Sequence, residues 1–269
     1  MSLLKSAVAV WKLPYLKKVG DLDSNVSVLI HRQIIESKPL MRGIYKRWYG
    51  DFNSVIEQTK DLEGLPFIEL GCGASQSEIY VPGVIKTDCM PSANAEAVVD
   101  AEKLPYADQS LRAILMSGVL HHVRYPERFL EEARRCLAPG GMVCLIEPSA
   151  SPLHTFMIHH FHPYEYFDAS IDHWENTQIK GRLTQANNAM AYLIFQRDRA
   201  LYENKFPELK IESIRRHTVI AYYLSGGVSY RSFAPFIPSG WILKLDQWLA
   251  KIFPRLGTMM TVQLKKVET

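Results

Sequence analysis

Apolar and polar positions divide the chain into stretches with different periods. Up to residue 65 the period is helical. Val26, Leu29, Ile30 and Ile34 line one face of a helix that Ser24 or Asn25 can cap and that must end before Pro39. A second helix is predicted from about Leu40 to Tyr49. Ser54-x-x-Glu57 reads as the capping box of a third, stopped by Gly64. From Pro66 the pattern changes to short, continuous apolar runs: Phe67 to Leu70, Val84 to Thr87, Ala97 to Val99, Ala113 to Met116 and Met142 to Ile146. Continuous runs of strand length mark strands covered on both faces, as in a parallel sheet.

A helix from about Pro126 to Leu137 has acids early, Arg134 and Arg135 late, and Pro139-Gly140-Gly141 after it, in keeping with its dipole. Further on, a helix is predicted over Gln185 to Tyr202 and a strand near Ile211 to Tyr222. The last strand, Thr258 to Val267, alternates Met260, Val262 and Leu264 with Thr261, Gln263 and Lys265, the pattern of an antiparallel strand at a sheet edge. The expected architecture is α/β: a doubly wound, mostly parallel sheet with an antiparallel last strand. Residues 1–65 form a helical cap in this reading, and residues 66–269 the main domain, with substrate-side insertions over 148–207 and 223–257.

Composition narrows the class without naming a function. The 269 residues are 47% hydrophobic and 22% charged, with ordinary glycine and proline content, which excludes collagen-like and disordered chains. The net charge of +3 is unevenly spread: +3 over residues 1–65, −4 over 66–150 and +4 over 151–269. Cys72, Cys89, Cys136 and Cys144 form no C-x-x-C pair, so a reduced, cytoplasmic protein is expected. Lys5 and Lys12 confine the uncharged run near the start to six residues, too short for a signal-peptide core. The longest uncharged stretch, Pro148 to Tyr164, carries three prolines and four histidines and is no membrane span.

The chemistry concentrates where the strands end. Gly71 and Gly73 follow the first strand directly, where the backbone must turn sharply and approach a ligand closely. The second strand ends in Asp88, 17 residues after Gly71, near the position from which a carboxylate bonds ribose hydroxyls in doubly wound folds. The third ends in Asp100 and the fourth in Ser117-Gly118. Three successive strand ends thus present small or acidic groups to one crevice, the edge at which open α/β sheets bind ligands.

At these residues the chain resembles the class I S-adenosylmethionine-dependent methyltransferases, in particular the type 11 branch. The matching pieces are Glu69-Leu-Gly-Cys-Gly73, Thr87-Asp88, Asp100-Ala-Glu-Lys-Leu-Pro105, Ser117-Gly-Val-Leu-His-His-Val123 and Leu137-Ala-Pro-Gly-Gly-Met142, all within residues 66–147. The resemblance implies a Rossmann-like fold and S-adenosylmethionine as cofactor. It places Glu69 near the methionine amino group, Gly71, Cys72 and Gly73 along the methionine moiety, and Asp88 on the ribose. Met90, Asp100 and Ala101 would surround the adenine, and Ser117 and Gly118 would lie where the sulfonium meets the acceptor. In two places the chain departs from related patterns. Pro82-Gly83 leaves room for only about one helical turn after the glycine loop, and Gln76 stands where a dinucleotide fingerprint has its third glycine. Both count against a nicotinamide cofactor, whose pyrophosphate needs a helix N-terminus.

Methyl transfer depends mainly on alignment, and a hydroxyl acceptor gains further from a base near neutral pKa. His121 and His122, after the fourth strand, are the candidate catalytic residues, with packing of the following loop as the alternative. Substrate-side candidates are Tyr49 in the N-terminal helices and His159, His162 and Glu165 in the histidine-rich segment after the fifth strand; no metal is expected. The stretch Trp241 to Phe253 is amphipathic, with Trp241, Ile242, Leu245, Trp248, Leu249, Ile252 and Phe253 on one side and Lys244, Asp246, Gln247 and Lys251 on the other. Packing on the sheet is the expected use of that stripe, with membrane-surface contact and self-association as alternatives. A small molecule, sugar or lipid-linked intermediate is the expected acceptor. A tRNA-modifying enzyme and a non-catalytic cofactor-binding protein remain the alternatives. Nucleic acid is disfavoured by the absence of a concentrated basic stripe.

Overall fold

The computed structural model describes residues 11–13, 24–161, 165–178 and 185–268. Helix α1 (Asn25–Ser37) starts at Ser24, whose hydroxyl accepts the Ser27 N–H at 3.3 Å. Helix α2 (Pro39–Gln58) starts on its proline and runs unbroken for 20 residues. The two helices expected on either side of Gly50 are therefore one. The Ser54 hydroxyl accepts from Gln58 Nε2 at 3.1 Å instead of capping a new start. An interior glycine costs a helix about 1 kcal/mol. Burial of Trp48, Tyr49, Phe52 and Val55 around it outweighs that cost.

The strands and helices then alternate: β1 (Phe67–Leu70), the single turn α3 (Ser77–Tyr80), β2 (Ile85–Asp88), β3 (Ala97–Val98), β4 (Leu111–Ser117), α4 (Pro126–Cys136), β5 (Leu137–Pro148) and α5 (Pro152–Phe161). The helix expected over Gln185 to Tyr202 is broken into α6 (Met190–Tyr192), a π-helical turn (Leu193–Arg197) and α7 (Arg199–Lys205). The chain ends with β6 (Leu209–His217), α8 (Ala221–Ser225), α9 (Ser239–Ile252) and β7 (Met259–Lys266). Strand β6 stops short of the expected Tyr222 because Thr218 takes a positive φ of 54°, turning the chain into α8.

The seven strands lie in the order β3-β2-β1-β4-β5-β7-β6. The first five pair in parallel, and β7 pairs antiparallel with both β5 and β6. This is the Rossmann-like, doubly wound sheet with an antiparallel last strand. The edge position expected for β7 belongs instead to β6, which shields β7 and itself shows mixed burial. Because α3 is one turn long, it cannot cover the sheet. Helix α2 does so, packing Trp48, Phe52 and Val55 into one core with Ala113, Leu115, Cys144 and Ile146. Helix α2 is thus part of the sheet's cover. On the opposite face Phe129, Leu130 and Ala133 of α4 join Met190 and Phe195 over Ile114, Val143 and Leu145.

Candidate functional site

Strand β1 delivers Glu69, and the glycine loop follows it. Gly71 and Gly73 have φ of 64° and 42°, conformations that glycine adopts without strain. At Gly71 a side chain would also meet Val119 at 2.7 Å, whereas at Gly73 the space beyond Cα is open, the nearest atom being Gly71 O at 3.9 Å. The Cys72 N–H donates to Thr87 O at 2.8 Å, fastening the buried Cys72 and its loop to β2. Asp88, 2% exposed at the end of β2, accepts the Gly73 N–H through Oδ2 at 2.9 Å, and its Oδ1 lies 3.4 Å from the Met90 N–H. Met90 and Asp100 are exposed on the same edge, with the half-buried Ala101 beside Asp100. The Glu102 N–H donates to Asp100 Oδ1 at 2.9 Å.

A network that the sequence did not reveal holds this loop. The Arg32 guanidinium, from α1, donates to Ser75 O at 2.6 Å and to Asn94 Oδ1 at 2.7 Å, and pairs with Glu78. Asn94 Nδ2 donates in turn to Gly73 O at 2.7 Å and Ser75 O at 2.9 Å, and Lys86 joins Glu78 and Asn94. Tyr49, expected on the substrate side, is a loop holder instead: its buried hydroxyl bonds Ser75 Oγ at 2.9 Å and accepts the Gln76 N–H at 2.9 Å. No local signal links these residues, since Arg32 precedes its partners by 43 and 62 positions.

The fit of these residues to a methionine-bearing nucleoside can be tested on unused donors and open space. Gln76 is 2% exposed, and its Nε2 has no hydrogen-bond partner among the described residues, a buried donor suited to a ligand carboxylate. With the open space at Gly73 and the carboxylate of Asp88, the loop fits such a ligand. Burial pushes the Glu69 carboxyl up to about 7, against the Ser77 hydroxyl and the charge of Lys86, which favour the ionised form. A ligand ammonium beside Glu69 favours that ionised form as well. Affinity for S-adenosylhomocysteine is therefore expected to rise about tenfold from pH 6 to pH 8, as ionisation ceases to oppose binding. Calorimetric titration across that range checks this, and Glu69→Gln should flatten the profile.

The second half of the site is built at the ends of β4 and β5. The Gly118 N–H donates to Ile146 O at 2.7 Å, with Gly118 φ at 68°, and a 3-10 turn (Leu120–His122) follows. Glu147 of β5, fully buried, accepts the Val119 and Leu120 N–H groups at 2.8 Å each through Oε1. Its Oε2 lies 2.6 Å from His121 Nδ1. A carboxylate can only accept, so Nδ1 carries the proton and His121 keeps Nε2 for other work. Burial lowers the His121 pKa, but the charge and hydrogen bond of Glu147 outweigh it and raise the value above that of a free histidine. Glu147 could have been suspected as a further acid at a strand end.

His122 lies beside His121, with ring centroids 4.3 Å apart, and its Nε2 is 3.6 Å from Glu165 Oε1. Glu165 Oε2 accepts Asn188 Nδ2 at 2.8 Å; Asn188 Oδ1 lies 3.3 Å from His154 Nε2, and His154 Nδ1 lies 3.1 Å from the Tyr223 hydroxyl. Single ligating atoms of His121, His122 and Glu165 come within 4.8 Å of one another, a cluster suited to moving a proton or to holding a cation. Of the substrate-side residues expected, Glu165 lies beside the two histidines. His159 is exposed on α5 and His162 lies outside the described residues.

Residues 68–145 match the family model described as a methyltransferase domain. Thiol S-methyltransferase TMT1B of Mus musculus is 28% identical over 132 residues, covering 40% of this chain and 54% of the relative. The ubiquinone/menaquinone biosynthesis C-methyltransferase UbiE of Bordetella avium is 42% identical over 59 residues, 21% of this chain and 23% of that protein. The chain spans about half the length of the thiol methyltransferases it matches. Among solved structures, a methyltransferase of Thermotoga maritima described as a possible histamine N-methyltransferase aligns at 16% identity over 87% of this chain and 99% of its own, with a TM-score of 0.45. Phosphoethanolamine N-methyltransferase 2 of Haemonchus contortus, solved with S-adenosyl-L-methionine, aligns at 11% identity over 93% of this chain and 59% of its own, with a TM-score of 0.45.

Proposed function

We propose, on the premise that residues 68–145 form a class I S-adenosylmethionine-dependent methyltransferase domain, that the protein transfers a methyl group to a small molecule, a sugar or a lipid-linked intermediate. Asp88 holds the ribose hydroxyls, the backbone at Gly71, Cys72 and Gly73 with Glu69 holds the methionine end, and Met90, Asp100 and Ala101 border the adenine. When bound, the cofactor supplies an electrophilic methyl group on a sulfonium. Ser117 and Gly118 border the space in which that methyl meets its acceptor, and the protein's largest contribution is alignment there. His122 accepts the acceptor's proton as the nucleophile attacks, and Glu165 orients it. Glu147 fixes His121 as a neutral Nε2 acceptor or a stabilised cation beside it. The observation that carries this assignment is the pairing of both histidines with carboxylates immediately after Gly118. The curated relatives, named for a thiol and for quinone biosynthesis, support a small acceptor over tRNA.

The test is transfer of labelled methyl from S-adenosylmethionine to a panel of thiols, phenols, sugars and tRNA. Turnover on a small molecule is expected. His122→Ala should lower kcat about 100-fold while leaving S-adenosylhomocysteine affinity within about twofold. Transfer to tRNA alone, or cofactor binding without transfer to any acceptor, would overturn the assignment. Activity lost on chelation and restored by a divalent ion would replace proton transfer by His122 with metal binding at His121, His122 and Glu165.

A further inference from the structure

Helix α9 buries Ile242 of its apolar stripe but turns most of the rest away from the protein, contrary to the expectation that the stripe packs on the sheet. Trp241 is 71% exposed, and Leu245, Trp248 and Ile252, which continue its row at helical spacing, are about half exposed. Phe236, 96% exposed, and Ile237 extend the patch before the helix, and Phe253 extends it after. The helix is held from behind by different contacts. Ile242 and Asp246 are buried, and Leu243 lies so close to Gly43 of α2 that a side chain there would meet it at 2.3 Å. Arg47 donates to Leu243 O at 2.8 Å.

The exposed charge around the stripe is of one sign. From Gly226 to Leu256 the sequence carries Arg231, Lys244, Lys251 and Arg255, all exposed, and a single acid, Asp246. That carboxylate is 3% exposed and accepts the Val219, Ile220 and Ala221 N–H groups at 2.7 to 2.9 Å, turned inward as the cap of α8. The outward surface of the whole segment is therefore apolar and cationic, with no exposed carboxylate to repel an anion. Tryptophans and aliphatic side chains beside lysines suit a helix lying in the plane of an anionic lipid surface, with the rings at headgroup depth and the ammonium groups reaching the phosphates. Among the described residues no helix is long and apolar enough to cross a membrane.

We propose that α9 and the preceding Phe236-Ile237 corner dock the protein on an anionic bilayer surface. The docking face is joined to the site by a short path: Asp246 caps α8, and Tyr223 of α8 bonds His154. Resting on the methyltransferase assignment, the acceptor's class narrows to an amphiphile presented from the lipid surface.

The test is flotation of the full chain with vesicles of phosphatidylcholine alone and of phosphatidylcholine mixed with phosphatidylglycerol. Flotation with the mixed vesicles at low salt is expected, weakened about tenfold by high salt or by neutral lipid. The double variants Trp241→Ser with Trp248→Ser, and Lys244→Gln with Lys251→Gln, should each lower partitioning about tenfold or more. Because these side chains are exposed, melting temperature and S-adenosylhomocysteine affinity should stay unchanged. Absence of flotation on anionic vesicles, or flotation undiminished in both variants, would overturn the proposal. So would a concentration-dependent dimer, seen by light scattering, that the tryptophan variant dissolves while vesicle binding is absent, which would assign the face to a second copy of the chain. Flotation requires no turnover, so this inference and the methyltransferase assignment fail separately.

Discussion

Asp88→Ala is expected to weaken S-adenosylhomocysteine binding by at least about 100-fold, roughly 2.7 kcal/mol. The carboxylate is nearly inaccessible in the free protein and sits at the end of β2, with one oxygen already on the Gly73 N–H. Two ribose hydroxyls bonded to a carboxylate contribute about 1.5 to 3 kcal/mol each, and the alanine variant loses both. It also frees the Gly73 N–H, loosening the glycine loop. Asp88→Asn keeps a carbonyl acceptor for Gly73 and should fall between wild type and alanine. Calorimetric titration of all three proteins checks this, with NAD as a control ligand and a thermal melt to confirm folding. An alanine variant that melts like wild type and binds undiminished would remove Asp88 from the cofactor site. NAD binding in place of S-adenosylhomocysteine would overturn the cofactor assignment itself.

Glu147→Gln is expected to lower kcat by about 10- to 100-fold with little change in cofactor affinity. A buried carboxylate that accepts three donors sets the geometry of the turn after β4. Alanine would leave two buried backbone N–H groups and the His121 ring N–H unpaired, costing about 3 to 5 kcal/mol and endangering the fold. Glutamine keeps one carbonyl for Val119 and Leu120 but turns an amide N–H toward His121 Nδ1. The proton must then move to Nε2, the wrong tautomer for the site. The pH behaviour follows in sign. Glu147 raises the His121 pKa, so the pair's contribution to stability is complete below the unfolded value near 6.5 and is lost as pH rises through the raised folded value. The glutamine variant lacks that contribution, so the difference in melting temperature between the two proteins should shrink as pH rises. Turnover and melting measured across pH check both effects. A variant with wild-type kcat at every pH would reduce Glu147 to a structural residue.

Much of the sheet was legible because its strands are continuous apolar runs bounded by turn residues, and because parallel strands present their C-termini to one edge. That reasoning placed Gly71, Gly73, Asp88 and Ser117-Gly118 at strand ends, where the structure has them, and the Pro82-Gly83 break foretold the one-turn α3. It failed where a local signal was overruled by packing. Ser54-x-x-Glu57 has the form of a cap, yet burial on both sides of Gly50 carries α2 through it. The alternation in β7 predicted an edge strand with one exposed face, whereas Thr261 on that face is 2% exposed and β6 adds itself outside.

By itself the sequence determined the fold class, the strand ends that carry the candidate site and the residue types there, since these follow from periodicity and from backbone conformations that few residues tolerate. Only the tertiary structure decided which groups meet across distance: Arg32 and Asn94 on the glycine loop, Glu147 on His121, Glu165 on His122. Hydrogen bonds between such groups depend on atom positions to within about an ångström, which no spacing along the chain records. It also decided the outward face of α9. Periodicity reports that a helix has an apolar side, but the close approach of Leu243 to Gly43 and the inward cap made by Asp246 select the side that meets the protein, leaving the tryptophans to the surroundings.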